Sequence, residues 1–407
     1  MAATEQLNLV LFCHPQFWVG QSMTRFARML QLSYEARGHH VQILSPTARC
    51  YKLFSGSKLA KWAAYVDQYI LFPREIRKAL KNIPPDALFV FCDQALGPWM
   101  PLVAHRPHVV HVHDLLALRS ALGDVPENPT SITGSIYQRY IRRGFRHARH
   151  FISVTDKTRE DLHRFGNVAA LTSEVVHNGL AFPYSKLEPS DAFRILRAAD
   201  LPANPRGMLL NVGGRQWYKN RSGIIALYAR YATQVADPLP LWCLGAKASK
   251  KDEAALQKVP SNGSVLFFQN LDDRTLQAAY SYARMFLFPS LAEGFGWPLI
   301  EAQACGCPVI TTNEAPMNEV AGPAARYLPR LQPGGDMEAW VAHGAETLKE
   351  VLSQTDAQRT QISERGIAWA KGFDTDTAID KYLAVYRMVL ERCVDKAAIE
   401  LEAPNIT

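Results

Sequence analysis

Short apolar runs alternate with longer stretches of helical spacing through most of this chain. Residues 7–13 read as a first strand, 22–37 as a helix, and 41–45 as a second strand after the turn Gly38-His39-His40. Residues 87–92, 108–113 and 151–155 follow as strands, with helical patterns between them. Apolar runs this short, separated by helices, predict a parallel sheet covered on both faces. In such sheets ligands gather beyond the carboxyl ends of the strands. His14, Asp93, His113 and Asp114 all stand at those ends.

The rhythm breaks between Asn178 and Pro205, where Gly179, Pro183, Pro189 and Pro202 punctuate the chain. This predicts a domain spanning 1–180 and a linker over 181–204 that holds a short helix at 191–199. A second strand series follows at 208–212, 241–244, 265–269, 285–288 and 309–311, predicting a second domain over 205–373. Near the end, Ile379, Tyr382, Leu383, Tyr386 and Val389 recur at helical spacing, so a helix is expected over 375–395.

A chain of 407 residues suits two domains of this kind. No apolar run approaches the ~18 residues of a membrane-spanning helix. Residues 7–12 are too short for a signal-peptide core. Seven cysteines, an odd number without a secretory signal, point to reduced thiols in the cytoplasm. Cys305-Gly-Cys307 has no second Cys/His pair at ligand spacing and reads as small residues at a helix-to-strand turn.

The net charge of +7 is unevenly placed. Residues 1–180 hold 21 Lys and Arg against 13 Asp and Glu, whereas the remainder holds 24 against 25. Two stretches, 58–81 and 136–149, concentrate the excess, and in the second arginines alternate with Tyr137, Tyr140, Ile141 and Phe145. Such helices can lie peripherally on an anionic membrane surface; a solvated basic face is the alternative. Nothing resembles a nucleic-acid reader, so no nucleic acid is expected as a partner.

The densest chemistry lies at 290–313. An apolar run stops at Pro289-Ser290, a loop with Gly294 and Gly296 follows, and Pro298 opens a helical stretch. Free amides at that helix start can hold an anion, and two glycines let the backbone approach it. Glu293 and Glu301 stand eight positions apart across the loop, where carboxylates accept hydrogen bonds from sugar hydroxyls. A second loop, Asn211-Val-Gly213-Gly214-Arg215-Gln-Trp-Tyr-Lys219-Asn-Arg221, sets glycines after a strand and cations before a helix. Cations are disfavoured at a helix start unless an anion sits there, so this too reads as a phosphate site.

The 290–313 segment resembles the E-x7-E donor-binding motif of the retaining glycosyltransferases of family 4, the glycosyl transferases group 1. The resemblance extends over most of the chain. It implies the α/β GT-B fold, with two doubly wound Rossmann-like domains facing across a cleft and the C-terminal helix returning to the first. It also implies a nucleotide-diphosphate sugar, GDP-mannose or a UDP-hexose, bound by the second domain. A glycan or lipid-linked saccharide acceptor, as in surface polysaccharide synthesis, would occupy the first. Residue by residue, Glu293 faces the donor sugar, Glu301 binds the ribose, and Gly294, Phe295 and Gly296 form the diphosphate loop. Lys219 matches the phosphate-binding lysine, with Gly213, Gly214 and Arg215 beside it; Arg221 competes with Arg215 for the place of the family arginine. His113 matches a histidine at a strand end near the transferring sugar. Gly20 offers its amide in a loop that is usually richer in glycine. Asn270 and Leu271 contact the base, mainly through backbone.

Asp374-Thr-Asp376 has the D-x-D form that binds metal in another glycosyltransferase fold, but its place before a helix reads as capping. The expected chemistry needs no metal and no other cofactor. The alternatives are a catalytically silent sugar-nucleotide binder or membrane-docked assembly protein, and a GT-B epimerase or phosphorylase.

Overall fold

A computed structural model describes residues 6–17 and 21–402; Trp18 and Gly20 lie outside them. The chain divides into two compact units. One comprises Met1–Val125, Pro129–Ala181 and Thr375–Thr407, the other Pro126–Asn128 and Phe182–Asp374. Residues 182–204, a connecting segment by sequence, lie with the second unit, and their helix runs Pro189–Ala198.

The first unit is built on six parallel strands: β1 (Asn8–Phe12), β2 (His40–Leu44), β3 (Leu88–Phe91), β4 (His108–Val112), β5 (His150–Ser153) and β6 (Thr172–Val175). Their order is β2-β1-β3-β4-β5-β6. The chain leaves β1 toward β2, then returns to build the rest of the sheet from the other side of β1. The switch point therefore falls between β1 and β3, where Phe12 pairs with Phe91. Helix Gln21–Ala36 and the final helix, Thr375–Glu402, cover one face of this sheet. The periodic residues of the final helix are buried there: Ile379, Tyr382 and Tyr386 pack with Leu11, Phe26 and Tyr34. The phenols are satisfied within that core. Tyr34 donates to Tyr386 at 3.0 Å, Tyr386 lies 2.7 Å from His111 Nε2, and Tyr382 donates to Asn178 at 3.1 Å. His111 is thus a structural residue.

The second unit repeats the plan with β7 (Leu209–Gly213), β8 (Leu241–Gly245), β9 (Val265–Phe268), β10 (Met285–Phe288), β11 (Val309–Thr312) and β12 (Arg326–Leu328). Their order, β12-β11-β10-β7-β8-β9, puts the switch point between β7 and β10. All pairings in both sheets are parallel. The central strands are apolar on both faces because helices cover both. The edge strands β6 (Thr-Ser-Glu-Val) and β12 (Arg-Tyr-Leu) are polar and short, which hides them from an apolar pattern.

Histidines in the first sheet give this unit a pH dependence. Burial, then the charges of His108 and Arg392, lower His150 from its ordinary value to about 4; burial likewise lowers His108 and His111. On acidification the unfolded chain takes up these protons first. Stability is therefore fully present above about pH 6.5 and falls as the pH drops toward about 4. Melting curves between these limits should show a falling midpoint, and His150→Gln should flatten the slope. A midpoint insensitive to pH would contradict this.

Candidate active site

In the second unit the loop after β7 and the loop after β10 meet at the switch point. The first continues as a 3-10 turn, Trp217–Lys219, then Asn220 in the left-handed conformation (φ 50°), then helix Arg221–Thr233. Two hydrogen bonds join the loops: Leu291 N donates to Tyr218 O at 2.7 Å, and Asn220 Nδ2 to Pro289 O at 3.0 Å. Below them, Asn211 Nδ2 donates to Leu287 O at 2.9 Å, tying β7 to β10.

This stitching brings Lys219 and Glu293 together. Lys219 Nζ donates to both carboxylate oxygens, at 2.8 and 3.0 Å, in a largely buried setting. The ammonium also lies 4.6 Å from the centre of the Phe288 ring and 5.5 Å from that of Tyr218. Its aliphatic stem runs along Gly213, where a Cβ would stand 3.2 Å from Lys219 Cδ. Gly213 thus makes room for the lysine; the phosphate approach read from sequence is a separate matter. Gly214 is similarly crowded by its own loop, with Gln216 Oε1 2.3 Å from where a Cβ would stand.

Beyond Glu293 the loop ends at Gly296, whose φ of 93° disfavours any side chain, and helix Trp297–Ala304 begins with Pro298 in its first turn. Phe295 is buried against Trp297 and Phe373. Glu301 accepts from Tyr280 Oη at 2.9 Å, which orients its carboxylate from beneath. Burial, and then the Glu301 charge, raise the Tyr280 phenol well above its usual value, so it stays a donor. Cys305 and Cys307 are buried thiols around the left-handed turn at Gly306. Asn270 and Leu271 precede Asp272, which caps helix Asp273–Tyr282 through Thr275 N at 2.7 Å.

The two candidate arginines separate cleanly. Arg221 is buried and gives Nε and Nη2 to Asp252 (3.0 and 2.8 Å), Nη1 to Ala246 O and Nη2 to Lys247 O (both 2.9 Å). It fastens the loop after β8 to the second unit's core. Arg215 is exposed in the loop itself. Arg330, which no motif signals, donates to Leu291 O at 2.8 Å and to Glu127 at 2.5 Å, supporting the Glu293 loop from behind.

In the first unit the carboxyl end of the sheet holds a second pair of polar side chains. His14 follows β1 and Asp93 follows β3, and His14 Nε2 lies 2.8 Å from Asp93 Oδ2 at that unit's own switch point. Burial works to raise the Asp93 pKa, but the hydrogen bond from His14, the charges of His14 and His113 and the Ala95 amide together leave it lowered. His113 ends β4 with Nε2 3.0 Å from Cys92 O and its ring edge-on to Phe26 at 4.5 Å. Burial lowers its pKa, against Asp93 and the Cys92 carbonyl, so the ring is neutral near pH 7. Asp114 accepts from Leu116 N at 3.0 Å at the start of helix Leu116–Ala121. Asp376 pairs with Arg37 at 2.8 Å. Among the described residues no group of three or more His, Cys, Asp or Glu is arranged to hold a metal ion.

Two doubly wound parallel units, one carrying glycine loops and a lysine–glutamate pair at its switch point, have the plan of the GT-B glycosyltransferases. Residues 23–181 match the family described as Glycosyltransferase Family 4 and residues 193–368 that described as Glycosyl transferases group 1. The chain belongs to the group 1 glycosyltransferase family. It is 24% identical over 302 residues to O-antigen chain mannosyltransferase B of Escherichia coli, covering 72% of this chain and 76% of that protein. Sucrose-phosphate synthase from Thermosynechococcus elongatus has the same fold, with a TM-score of 0.71 at 18% identity over 95% of this chain and 100% of that one. So does Anabaena Alr3699/HepE, solved with UDP and glucose, at a TM-score of 0.61 and 16% identity over 93% of this chain and 98% of that one.

The Arg221 assignment can be checked on stability alone. Arg221→Met leaves the Asp252 carboxylate buried without its partner, a loss of about 3–5 kcal/mol in urea unfolding. Arg215→Ala, at an exposed site, should stay within about 0.5 kcal/mol. Equal stabilities for the two variants would overturn the division of roles.

Proposed function

We propose that the protein is a retaining hexosyltransferase. It moves a hexose from a nucleotide-diphosphate sugar to a glycan or lipid-linked saccharide, in the synthesis of a surface polysaccharide. The observation that carries this reading is the Lys219–Glu293 pair at the β7/β10 switch point, beside the Gly296 helix start. A lone buried ion pair contributes little to stability. A lysine held by one carboxylate beside a glycine-flanked helix start is instead poised to share its charge with a diphosphate.

In this reading the bond from the sugar C1 to the diphosphate oxygen breaks, and the acceptor oxygen bonds to C1 on the same face. The acceptor proton leaves with the departing diphosphate. Lys219 and Arg215, with the amides of Gly213, Gly214, Gly294, Phe295 and Gly296, stabilise the charge that develops on that diphosphate, without a metal ion. Glu293 fixes the sugar hydroxyls, Glu301 the ribose, and Asn270 and Leu271 the base. Neutral His113 lines the reacting face. The relatedness to an O-antigen chain mannosyltransferase supports a mannosyl donor and a surface-polysaccharide acceptor; the likeness to a protein solved with UDP keeps a UDP-hexose as the second candidate.

The test is a thermal-shift panel of GDP, UDP, ADP and TDP, with and without Mg²⁺. One diphosphate should raise the melting temperature regardless of metal. Glu293→Gln should keep that shift while transfer falls about 10²–10³-fold, the range for losing one stabilising group in a reacting site. No shift with any diphosphate would sink the reading; a shift that needs Mg²⁺ would sink its metal-free form.

A further inference from the structure

Eight of the thirteen large hydrophobic side chains that stand exposed among the described residues fall within two short segments of the first unit, 53–70 and 132–140. In the first are Leu53 (81% exposed), Leu59, Trp62 (62%) and Ile70; in the second, Ile132 (81%) and Ile136 (60%). A ladder of tyrosines holds the segments side by side. Tyr65 stacks on Tyr137 with ring centres 5.6 Å apart, Tyr69 Oη lies 2.6 Å from Tyr137 Oη, and Tyr69 meets Tyr140 edge-on at 5.6 Å. The segments that carry these exposed side chains therefore adjoin, and together they form a face of the first unit.

The same face is basic and nearly free of acids. Residues 50–66 contain Lys52, Lys58 and Lys61 and no Asp or Glu; residues 132–149 contain five arginines and no Asp or Glu. Along helix Ile132–Phe145, Arg139 and Arg143 share the stripe of Ile132, Ile136 and Tyr140 by helical spacing. The two acids between 67 and 81 are both engaged. Asp67 is buried and accepts the amides of Arg49, Cys50 and Tyr51 at 3.1, 2.8 and 2.8 Å. Glu75 pairs with Arg49 at 2.7 Å.

A merely solvated basic face does not need a tryptophan and five aliphatic side chains in water. A second copy of the chain would bring one cationic face against another. Apolar side chains ringed by lysine and arginine match the boundary between anionic headgroups and acyl chains. Helix Ile132–Phe145 also packs, at Gly144, against Gly97 in the segment Gln94–Leu102 that leaves the carboxyl end of β3.

We propose that this face docks on an anionic lipid bilayer, with Leu53, Trp62 and Ile136 entering the headgroup–acyl boundary and Lys58, Lys61, Arg139 and Arg143 meeting lipid phosphates. The docking itself does not depend on the transferase reading. If that reading holds, a lipid-linked acceptor reaches the first unit from the surface on which this face rests.

The experiment is co-sedimentation of the full chain with vesicles of phosphatidylcholine alone or mixed with phosphatidylglycerol, across a salt series. Binding is expected only to the mixed vesicles, weakening as salt rises. Lys58→Glu with Lys61→Glu should weaken it on the order of tenfold or more. Trp62→Ser with Ile136→Ser should abolish the fraction that survives high salt. Unchanged melting temperatures confirm that these exposed substitutions leave the fold intact, and the arginine pair Arg139→Gln with Arg143→Gln is a second, independent charge variant. Absence of binding to the mixed vesicles at low salt overturns the proposal. So does equal binding to both vesicle types, or self-association in sedimentation velocity that Trp62→Ser removes.

Discussion

A parallel sheet whose chain winds first one way and then the other must open a crevice where two neighbouring strands send their chains to opposite faces. This constraint governs both halves of the protein. In the second unit the crevice lies beyond β7 and β10, in the first beyond β1 and β3. Each holds a pair of polar side chains whose members arrive from the two diverging strands: the ion pair of Lys219 with Glu293, and the hydrogen-bonded His14 with Asp93. The surrounding features follow from holding the first of these pairs. Gly213 gives way to the lysine stem, Asn220 turns the chain into its helix while binding the opposite loop, and Arg330 supports that loop from behind. The lysine's charge is thereby fixed in a setting of low polarity, where it acts more strongly than it would in water.

Most of the architecture was legible in the sequence because central strands of a covered parallel sheet are apolar on both faces. Ten of the twelve strands among the described residues lie in the runs read from that pattern, within one or two residues at each end. The two that escaped, β6 and β12, are edge strands that carry Thr, Ser, Glu and Arg, whereas the edge strand β9, Val-Leu-Phe-Phe, kept an apolar run and was read. The final helix could be placed by its spacing, since its apolar stripe needs a wall to pack against, and that wall is the first sheet.

The site was legible only in part. Local order, glycines after a strand and a proline in the first turn of a helix, revealed the two loops. What the loops do to each other depends on partners far apart in sequence. Nothing near Arg221 announces Asp252, so only the fold separates a structural arginine from the exposed Arg215. Likewise Lys219 and Glu293 looked like separate phosphate and sugar ligands, yet they form one ion pair across 74 positions. His14 and Asp93 were visible as polar residues at strand ends, but their pairing comes from the adjacency of β1 and β3. The basic stretches showed their charge in the sequence; that they adjoin depends on the tyrosine contacts between them.

The return of the last helix to the first unit has a consequence for the order in which the molecule can be assembled. Tyr382, Tyr386 and Val389 are interior residues of a core whose other side is supplied by Leu9, Leu11 and Phe26. Between 356 (Phe26 to Tyr382) and 380 (Leu9 to Val389) positions therefore separate the two sides of one hydrophobic layer. Apart from residues 126–128, the second unit is contiguous and complete by Asp374. On a ribosome, where chains emerge from the amino end, the unit that begins first is the one that closes last. Until then a face built around Phe26 and Tyr34 waits uncovered.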